Sequence, residues 1–126
     1  MATRQVKIPA NYETTAWKWM RYSGILLIPL AWFHLILQDV ITGVHKIDAA
    51  YVANRWAMGF WQVYDILLLG FAFAHGMNGL RQVLRDFVHS DQAMRVVNIV
   101  LVVIWAALTF IGAYAIIMAT NSILAG

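Results

Sequence analysis

The apolar residues of this chain fall into three long runs separated by two polar stretches. The runs cover about residues 20–41, 60–84 and 93–118, after a polar, weakly basic lead of residues 1–16. At about 1.5 Å of rise per residue, a helix over each run crosses a hydrocarbon core of about 30 Å. The pattern predicts an all-α membrane protein with three transmembrane helices, in one domain of residues 1–126.

The two polar stretches predict the connections. Residues 42–59 carry Lys46, Asp48 and Arg55, which indicates an exposed segment with a short surface helix over residues 49–56. Residues 85–92 are short and polar and indicate a tight turn between the second and third spans.

Composition supports the same class. Hydrophobic residues make up 62% of the sequence, charged residues make up 12%, and the mean hydropathy is +0.67, well outside the balance of a soluble domain. The net charge of +3 does not indicate a nucleic-acid partner, because the basic residues lie at the ends of the apolar runs and form no patch. The lack of cysteine excludes thiolate metal sites and cysteine-ligated iron–sulfur clusters on this chain.

Lysine and arginine are unequally distributed between the two sides of the predicted bundle. Seven lie on the side of the N-terminus and the second connection, against two in the first connection: Arg4, Lys7, Lys18, Arg21, Arg81, Arg85 and Arg95 against Lys46 and Arg55. Because cytoplasmic loops are enriched in these residues, we expect a cytoplasmic N-terminus and an outer C-terminus. The lead has no apolar core with a small-residue cleavage site, so we expect no removable signal peptide.

The end of the second run, HGMNGLRQVLRDF, holds most of the polar chemistry within a span. In a helix, residues at i+4, i+7 and i+11 lie on the same face as residue i, each within about 40° of it. Counted with this spacing from His75, the stripe consists of His75, Gly79, Gln82 and Asp86. His75 then lies about 16 Å deeper in the membrane than Asp86, reckoned from the helical rise.

His75 needs a partner, because an ionisable side chain inside a span is expensive and usually faces a bundle interior, a pore or a cofactor. One interpretation is a neutral imidazole that hydrogen-bonds a neighbouring helix. The other is an axial ligand of haem, with Gly79 leaving room for a flat group to approach. Three spans are too little protein to surround a haem, so the second interpretation requires a partner chain. Arg81 and Arg85 lie off the stripe and are expected to point toward headgroups or another chain.

The first span carries a second deep histidine. Ser23 and His34 lie at i and i+11 and share a face. Arg21 and Ser23 are expected near the depth of Asp86, so a guanidinium, a hydroxyl and a carboxylate would collect at one level. Such a cluster can bind haem propionates or the polar head of a quinone. An interfacial arginine such as Arg21 is otherwise a snorkelling anchor.

The second span resembles that of the smaller membrane-anchor subunit of succinate dehydrogenase, the hydrophobic D chain of succinate:quinone oxidoreductase (complex II). The resemblance rests on HGMNGLRQVLRDF and the preceding FWQVYDILLLGFAFA, and it covers about residues 17–118. That family has a histidine in its second span, a glycine four residues on and an acidic–aromatic pair at the cytoplasmic end. Its first span begins with an arginine followed closely by a small or hydroxyl residue, as in Arg21, Tyr22, Ser23, Gly24. The sister C anchor chain is the main alternative.

The resemblance implies that His75 is an axial ligand of haem b and that a second anchor chain supplies the other ligand. It also implies that Arg21 lies near a haem propionate and that Asp86 borders the quinone site, to which Ser23 and Gln82 are further candidates. Many members have a tyrosine where this chain has Phe87, which cannot donate a hydrogen bond to a quinone carbonyl. The donor then comes from another subunit, or the site suits menaquinone rather than ubiquinone.

The implied role is that of an anchor without catalysis on succinate itself. Electrons leave succinate in a flavoprotein subunit, pass along an iron–sulfur subunit and reduce quinone where the anchors meet it, linking the tricarboxylic acid cycle to the respiratory chain. The implied location is the bacterial cytoplasmic (inner) membrane. Some relatives bind two haems, so His34 is either a second haem ligand or a packing histidine.

A different class is also compatible with the residues. A small transporter or proton-conducting bundle would use Asp65, His75 and Asp86 as a proton relay, and it would be a colourless homo-oligomer. For Asp65 the simpler interpretation is a helix cap or a pair with Arg55. A visible spectrum of the purified protein distinguishes the two classes.

Overall fold

Four helices make up most of the described chain. The computed structural model describes residues 11–125, apart from the side chains of Ile123 and Leu124. In chain order the helices are α1 (Tyr12–Leu35), α2 (Ala49–Ala57), α3 (Gly59–Phe87) and α4 (Asp91–Leu124).

Three helical segments are long and apolar enough to cross a membrane. By length and composition they are Tyr12–Lys46, Gly59–Phe87 and Asp91–Ser122. They confirm the predicted all-α fold with three membrane-spanning helices. Many of their large apolar side chains are exposed, so much of this surface is available to lipid or to another membrane chain.

Helix α1 begins earlier than the hydropathy pattern predicts. Asn11 caps it, and the Asn11 side chain accepts a hydrogen bond of 2.8 Å from the Thr14 N–H. Glu13, in the first turn, forms ion pairs with α3. The helix thus extends into residues 12–16 of the predicted polar lead, because a cap and ion pairs stabilise a helix in residues that are not apolar. The rest of the lead, residues 1–10, lies outside the described residues.

The first connection is mostly helical. The first span continues as a π-helical segment, Ile36–Gly43, and then as a short 3-10 turn, Val44–Lys46. Gly43 has a φ of 85°, a conformation that favours glycine, and the chain changes direction there. Asp48 caps α2 by accepting a hydrogen bond of 2.7 Å from the Tyr51 N–H. The short helix predicted over residues 49–56 is thus confirmed.

Helix α3 lies between the other two spans. It packs against both α1 and α4, whereas α1 and α4 make few or no close backbone contacts with each other. Side chains join the helices by donating to backbone carbonyls: Asn78 to Ala16 (2.8 Å), Tyr64 to Leu30, and Trp105 to Gly70 (3.1 Å). Such polar contacts between spans help to hold a membrane bundle together.

The contacts between α1 and α3 define an antiparallel register. Glu13 meets Arg81, Ala16 meets Asn78, and Leu30 meets Tyr64. We call the end where α1 begins and α3 ends the turn end, and the opposite end, which carries α2, the α2 end. The register places Asp86 level with the beginning of α1 and places residues near Ser23 level with His75.

Candidate functional site

His75 lies in the middle of α3 and is seated against α1. Its Nδ1 is 3.1 Å from the Ser23 Oγ, and Ser23 is only 5% exposed. The same Oγ is 3.2 Å from the Met20 carbonyl oxygen. A Cβ on Gly24 would lie 3.3 Å from the His75 Cε1, so the lack of a side chain there lets the ring lie close to α1. Ser23 and Gly24 together form one wall of the imidazole site.

The glycines of α3 near His75 have different surroundings. A Cβ on Gly79 would lie 3.3 Å from the Met20 Cε, so a methionine of α1 occupies the space that was predicted for a flat cofactor. A Cβ on Gly76 would meet nothing within 4 Å, and Gly76 is exposed. The open surface of α3 next to His75 is therefore on the Gly76 side, while the clearance role of Gly79 stays a prediction.

The part of the predicted stripe that lies nearest the turn end is exposed. Gln82 and Asp86 are both exposed, and Phe87, the last residue of α3, is 74% exposed. Asp86 is eleven residues from His75, about 16 Å along the helix. These three side chains thus form a surface that is separate from the imidazole site and open to a partner.

Ser23 and Arg21 do not join Asp86. Ser23 lies beside His75, and Arg21 is exposed on α1 with its guanidinium 4.6 Å from the centre of the Trp17 ring. The expectation that these residues collect at the level of Asp86 is therefore wrong within this chain. The reason is the register, because α1 starts at Tyr12 and has made three turns before it reaches Ser23.

Arg81 has a position that the sequence pattern did not predict. It is 3% exposed, and its Nη2 lies 2.6 Å from the Glu13 Oε2. The guanidinium also lies over the Tyr12 ring, 5.2 Å from its centre, and exposed Arg85 pairs with the same carboxylate. The expectation that both arginines point away from the bundle is wrong for Arg81, because the counter-charge comes from the first turn of α1.

A second polar cluster lies at the α2 end around Asp65. Its carboxylate accepts hydrogen bonds from Arg55 Nη2 at 3.3 Å and from Trp56 Nε1 at 2.8 Å. Arg55 is 5% exposed and lies 4.3 Å from the centre of the Trp61 ring. The predicted pairing of Asp65 with Arg55 is confirmed.

His34 contacts the Asp65 cluster from α1. Its Nδ1 lies 3.5 Å from the Asp65 Oδ1, and its ring is parallel to that of Tyr64, with ring centres 6.5 Å apart. A carboxylate near Nδ1 can orient either a packing histidine or a haem-ligating histidine, so this contact does not distinguish the two interpretations of His34. His34 and His75 therefore belong to two different sites, one toward the α2 end and one in the middle of the bundle.

Comparison with known families gives the class of the whole chain. Residues 2–113 match the succinate dehydrogenase/fumarate reductase transmembrane subunit. The chain belongs to this family. This transmembrane subunit is thus part of an enzyme complex with other subunits, and the resemblance carried by the second span is confirmed at the level of the family. Among the curated proteins, none matches the chain.

The three acidic and imidazole groups proposed for a proton relay are far apart in this transmembrane subunit. Asp65 and His75 are ten residues apart on α3, and His75 and Asp86 are eleven apart, which is about 15 Å and about 16 Å along the helix. Asp65 is already paired with Arg55. Neither gap can be bridged by a direct hydrogen bond, so the geometry gives no support to the transporter interpretation.

The subunit also has an apolar cavity of about 650 Å³ in the groove between α1 and α4. Its floor is the face of α3 that carries Leu67, Gly70 and Ala74, and its polar lining residues include Asn78 and Arg81. His75 does not line this cavity. Hydropathy alone could not locate it, because the cavity depends on how α1, α3 and α4 pack together.

Proposed function

We propose that the chain is the D-type anchor subunit of succinate:quinone oxidoreductase and that His75 is an axial ligand of haem b. A second membrane-anchor subunit supplies the other axial ligand. The observation that carries this proposal is the seat of His75, where the buried Ser23 engages Nδ1. Nε2 forms no hydrogen bond with the part of the chain that the structure describes, so that nitrogen is available to a ligand.

The residues around His75 fit a haem. Neutral imidazole is a common axial ligand of haem iron, and a ligating histidine usually bonds a second group through its other nitrogen. The exposed surface at Gly76 leaves space beside the imidazole, and the flexible thioether of Met20 beside Gly79 can move to widen it. Arg21, which is exposed on α1, is the residue that would meet a propionate. When bound, haem b supplies one-electron redox chemistry, and the chain supplies position and a low-dielectric surrounding.

We assign the quinone site to the turn end, where Asp86 and Gln82 are exposed. The excess of lysine and arginine at this end favours the cytoplasm, which is where the iron–sulfur subunit would dock. Phe87 lacks a hydroxyl group, so the donor to a quinone carbonyl comes from another subunit, whether the quinone is menaquinone or ubiquinone. Ser23 is not part of this site, because it is bonded to His75.

On this proposal the complex connects succinate oxidation to the respiratory chain of the bacterial inner membrane. The flavoprotein subunit oxidises succinate, the iron–sulfur subunit carries the electrons, and quinone is reduced where that subunit meets the anchors. The contribution of this chain is to hold haem b and one wall of the quinone site within the lipid bilayer. The oxidation of succinate and the transfer of electrons along iron–sulfur clusters are assigned to the other subunits, not to this chain.

Asp86 gives a direct test of the quinone site. In Asp86→Asn we expect quinone reduction by the purified complex to fall at least about tenfold, since a misplaced or missing polar contact at a reacting group has effects of this size. Succinate oxidation with an artificial dye that accepts electrons from the soluble subunits should not change. The measurement is the ratio of the two activities.

The matched control for that experiment is Asp91→Asn. Asp91 is an exposed carboxylate in the first turn of α4, at the same end of the bundle. We expect the ratio of quinone to dye activity to stay at the wild-type value. A normal ratio in Asp86→Asn, or an equal fall in both variants, would place the quinone elsewhere.

His34 is tested by the number of haems in each complex. We expect one haem b per complex and we expect it to survive His34→Ala, because contacts with Tyr64 and Asp65 already account for the position of His34. A pyridine hemochromogen assay on the purified complex gives the count. A wild-type complex with two haems that loses one in His34→Ala would instead make His34 the ligand of a second haem.

A further inference from the structure

We propose that Ser23 is a positioning residue for the haem site: its hydroxyl fixes the tautomer of His75 and lowers the reduction potential of the iron that His75 ligates. This inference rests on the proposed haem ligation. It concerns the chemical effect of the Ser23 hydroxyl on the haem, whereas the ligand assignment uses Ser23 only as the contact that holds His75 in place. On this proposal Ser23 belongs to the haem site, and not to the quinone site for which the sequence made it a candidate.

The direction of the hydrogen bond follows from the second contact of the hydroxyl. Ser23 Oγ lies 3.2 Å from the Met20 carbonyl oxygen and 3.1 Å from the His75 Nδ1. A carbonyl oxygen can only accept, so the single hydroxyl hydrogen is donated to Met20. The Ser23 oxygen is then left to accept from the Nδ1–H of His75. In this tautomer Nε2 carries the lone pair that an iron ligand needs.

The site is built so that His75 keeps this partner. Ser23 is 5% exposed, and a buried polar group without a partner is costly. Gly24 lets the ring lie so close to α1 that a Cβ at this position would be only 3.3 Å from Cε1. Ser23 lies 52 residues from His75 in the chain, so the contact depends on the packing of α1 against α3.

The hydrogen bond has an electronic consequence. An imidazole that donates its Nδ1–H to an acceptor is a stronger electron donor through Nε2, and this stabilises the more positively charged oxidised iron. Removal of the acceptor should therefore make the haem easier to reduce. A hydrogen bond of ordinary strength changes such an equilibrium by up to about tenfold.

The experiment is a redox titration of haem b in the purified complex, followed by its absorption spectrum. In Ser23→Ala we expect the midpoint potential to rise by up to about 59 mV, which is a tenfold change in the ratio of oxidised to reduced haem for a one-electron couple. Ser23→Thr keeps the hydroxyl and should restore the wild-type potential. The matched control is Ser122→Ala, since the Ser122 hydroxyl also donates to the carbonyl three residues earlier, that of Ala119, but contacts no histidine among the described residues. Its loss should leave the potential unchanged.

Each outcome decides something different. A potential in Ser23→Ala equal to that of the wild type overturns the role of Ser23 while leaving His75 as the ligand. If Ser23→Ala loses haem altogether, Ser23→Thr decides: haem at the wild-type potential in that variant supports the role of the hydroxyl, and haem loss there as well overturns it. A wild-type complex without haem b refutes the proposed function, before any question about Ser23 arises.

Discussion

Replacement of His75 by alanine is expected to abolish the haem b absorption of the purified complex while the subunit still inserts and assembles. The imidazole is the proposed iron ligand on this chain, and alanine offers no donor atom. The fold should survive, because Ser23 keeps its hydrogen bond to the Met20 carbonyl and no buried hydroxyl loses its only partner. The other bonds between α1 and α3, from Asn78 and Tyr64, are also untouched.

The measurement combines a reduced-minus-oxidised spectrum with the amount of subunit that copurifies with the flavoprotein and iron–sulfur subunits. His89→Ala is the control, because His89 is an exposed histidine in the turn after α3 and should leave the spectrum unchanged. An unaltered Soret band in a correctly assembled His75→Ala complex contradicts the ligand assignment. Loss of the band in both variants would point to a general defect of the complex instead.

The second large effect is expected at Glu13. In Glu13→Ala, the guanidinium of Arg81, whose side chain is 4% exposed, loses its counter-charge while it stays buried. Removal of one partner of a buried ion pair costs about 3–5 kcal/mol of stability. We expect a loss of about 3 kcal/mol, since the Glu13 side chain is 40% exposed and water screens part of the interaction. Thermal unfolding of the purified complex should therefore begin at a clearly lower temperature.

Two further variants separate this effect from an ordinary surface change. Arg85→Ala removes the exposed partner of the same carboxylate, with a side chain that is 53% exposed, and should cost less than about 1 kcal/mol. The double variant Glu13→Ala with Arg81→Met removes both charges and should recover much of the lost stability, because no charge is left buried. Equal melting temperatures for Glu13→Ala and Arg85→Ala would show that leaving the buried Arg81 without a counter-charge does not lower the stability of the complex.

Hydropathy and helix periodicity predicted the elements well, because both depend on residues close together in the chain. The three spans, the short helix after the first span and the stripe of His75, Gly79, Gln82 and Asp86 all follow from local pattern. The pairing of Asp65 with Arg55 could also be predicted, since the two residues are ten apart in the sequence and both lie near the start of α3.

The register between α1 and α3 could not be predicted from the same pattern. Hydropathy gives the depth of a span within several residues, but it does not say which residues of two helices meet. The Ser23–His75 bond joins residues 52 apart, and the Glu13–Arg81 pair joins residues 68 apart. The role of Glu13 could not be predicted for the same reason, because its partner Arg81 lies on another helix.

The contacts of His75 have a consequence for the order in which the subunit is made. Everything that seats the imidazole belongs to α1 and α3, which end at Phe87, and the last long helix begins only at Asp91. During synthesis from the N-terminus, these two helices are complete before α4 leaves the ribosome. The growing chain therefore contains both helices that hold His75 while its third span is still missing, so the imidazole proposed as the haem ligand can be oriented at that intermediate stage of biogenesis.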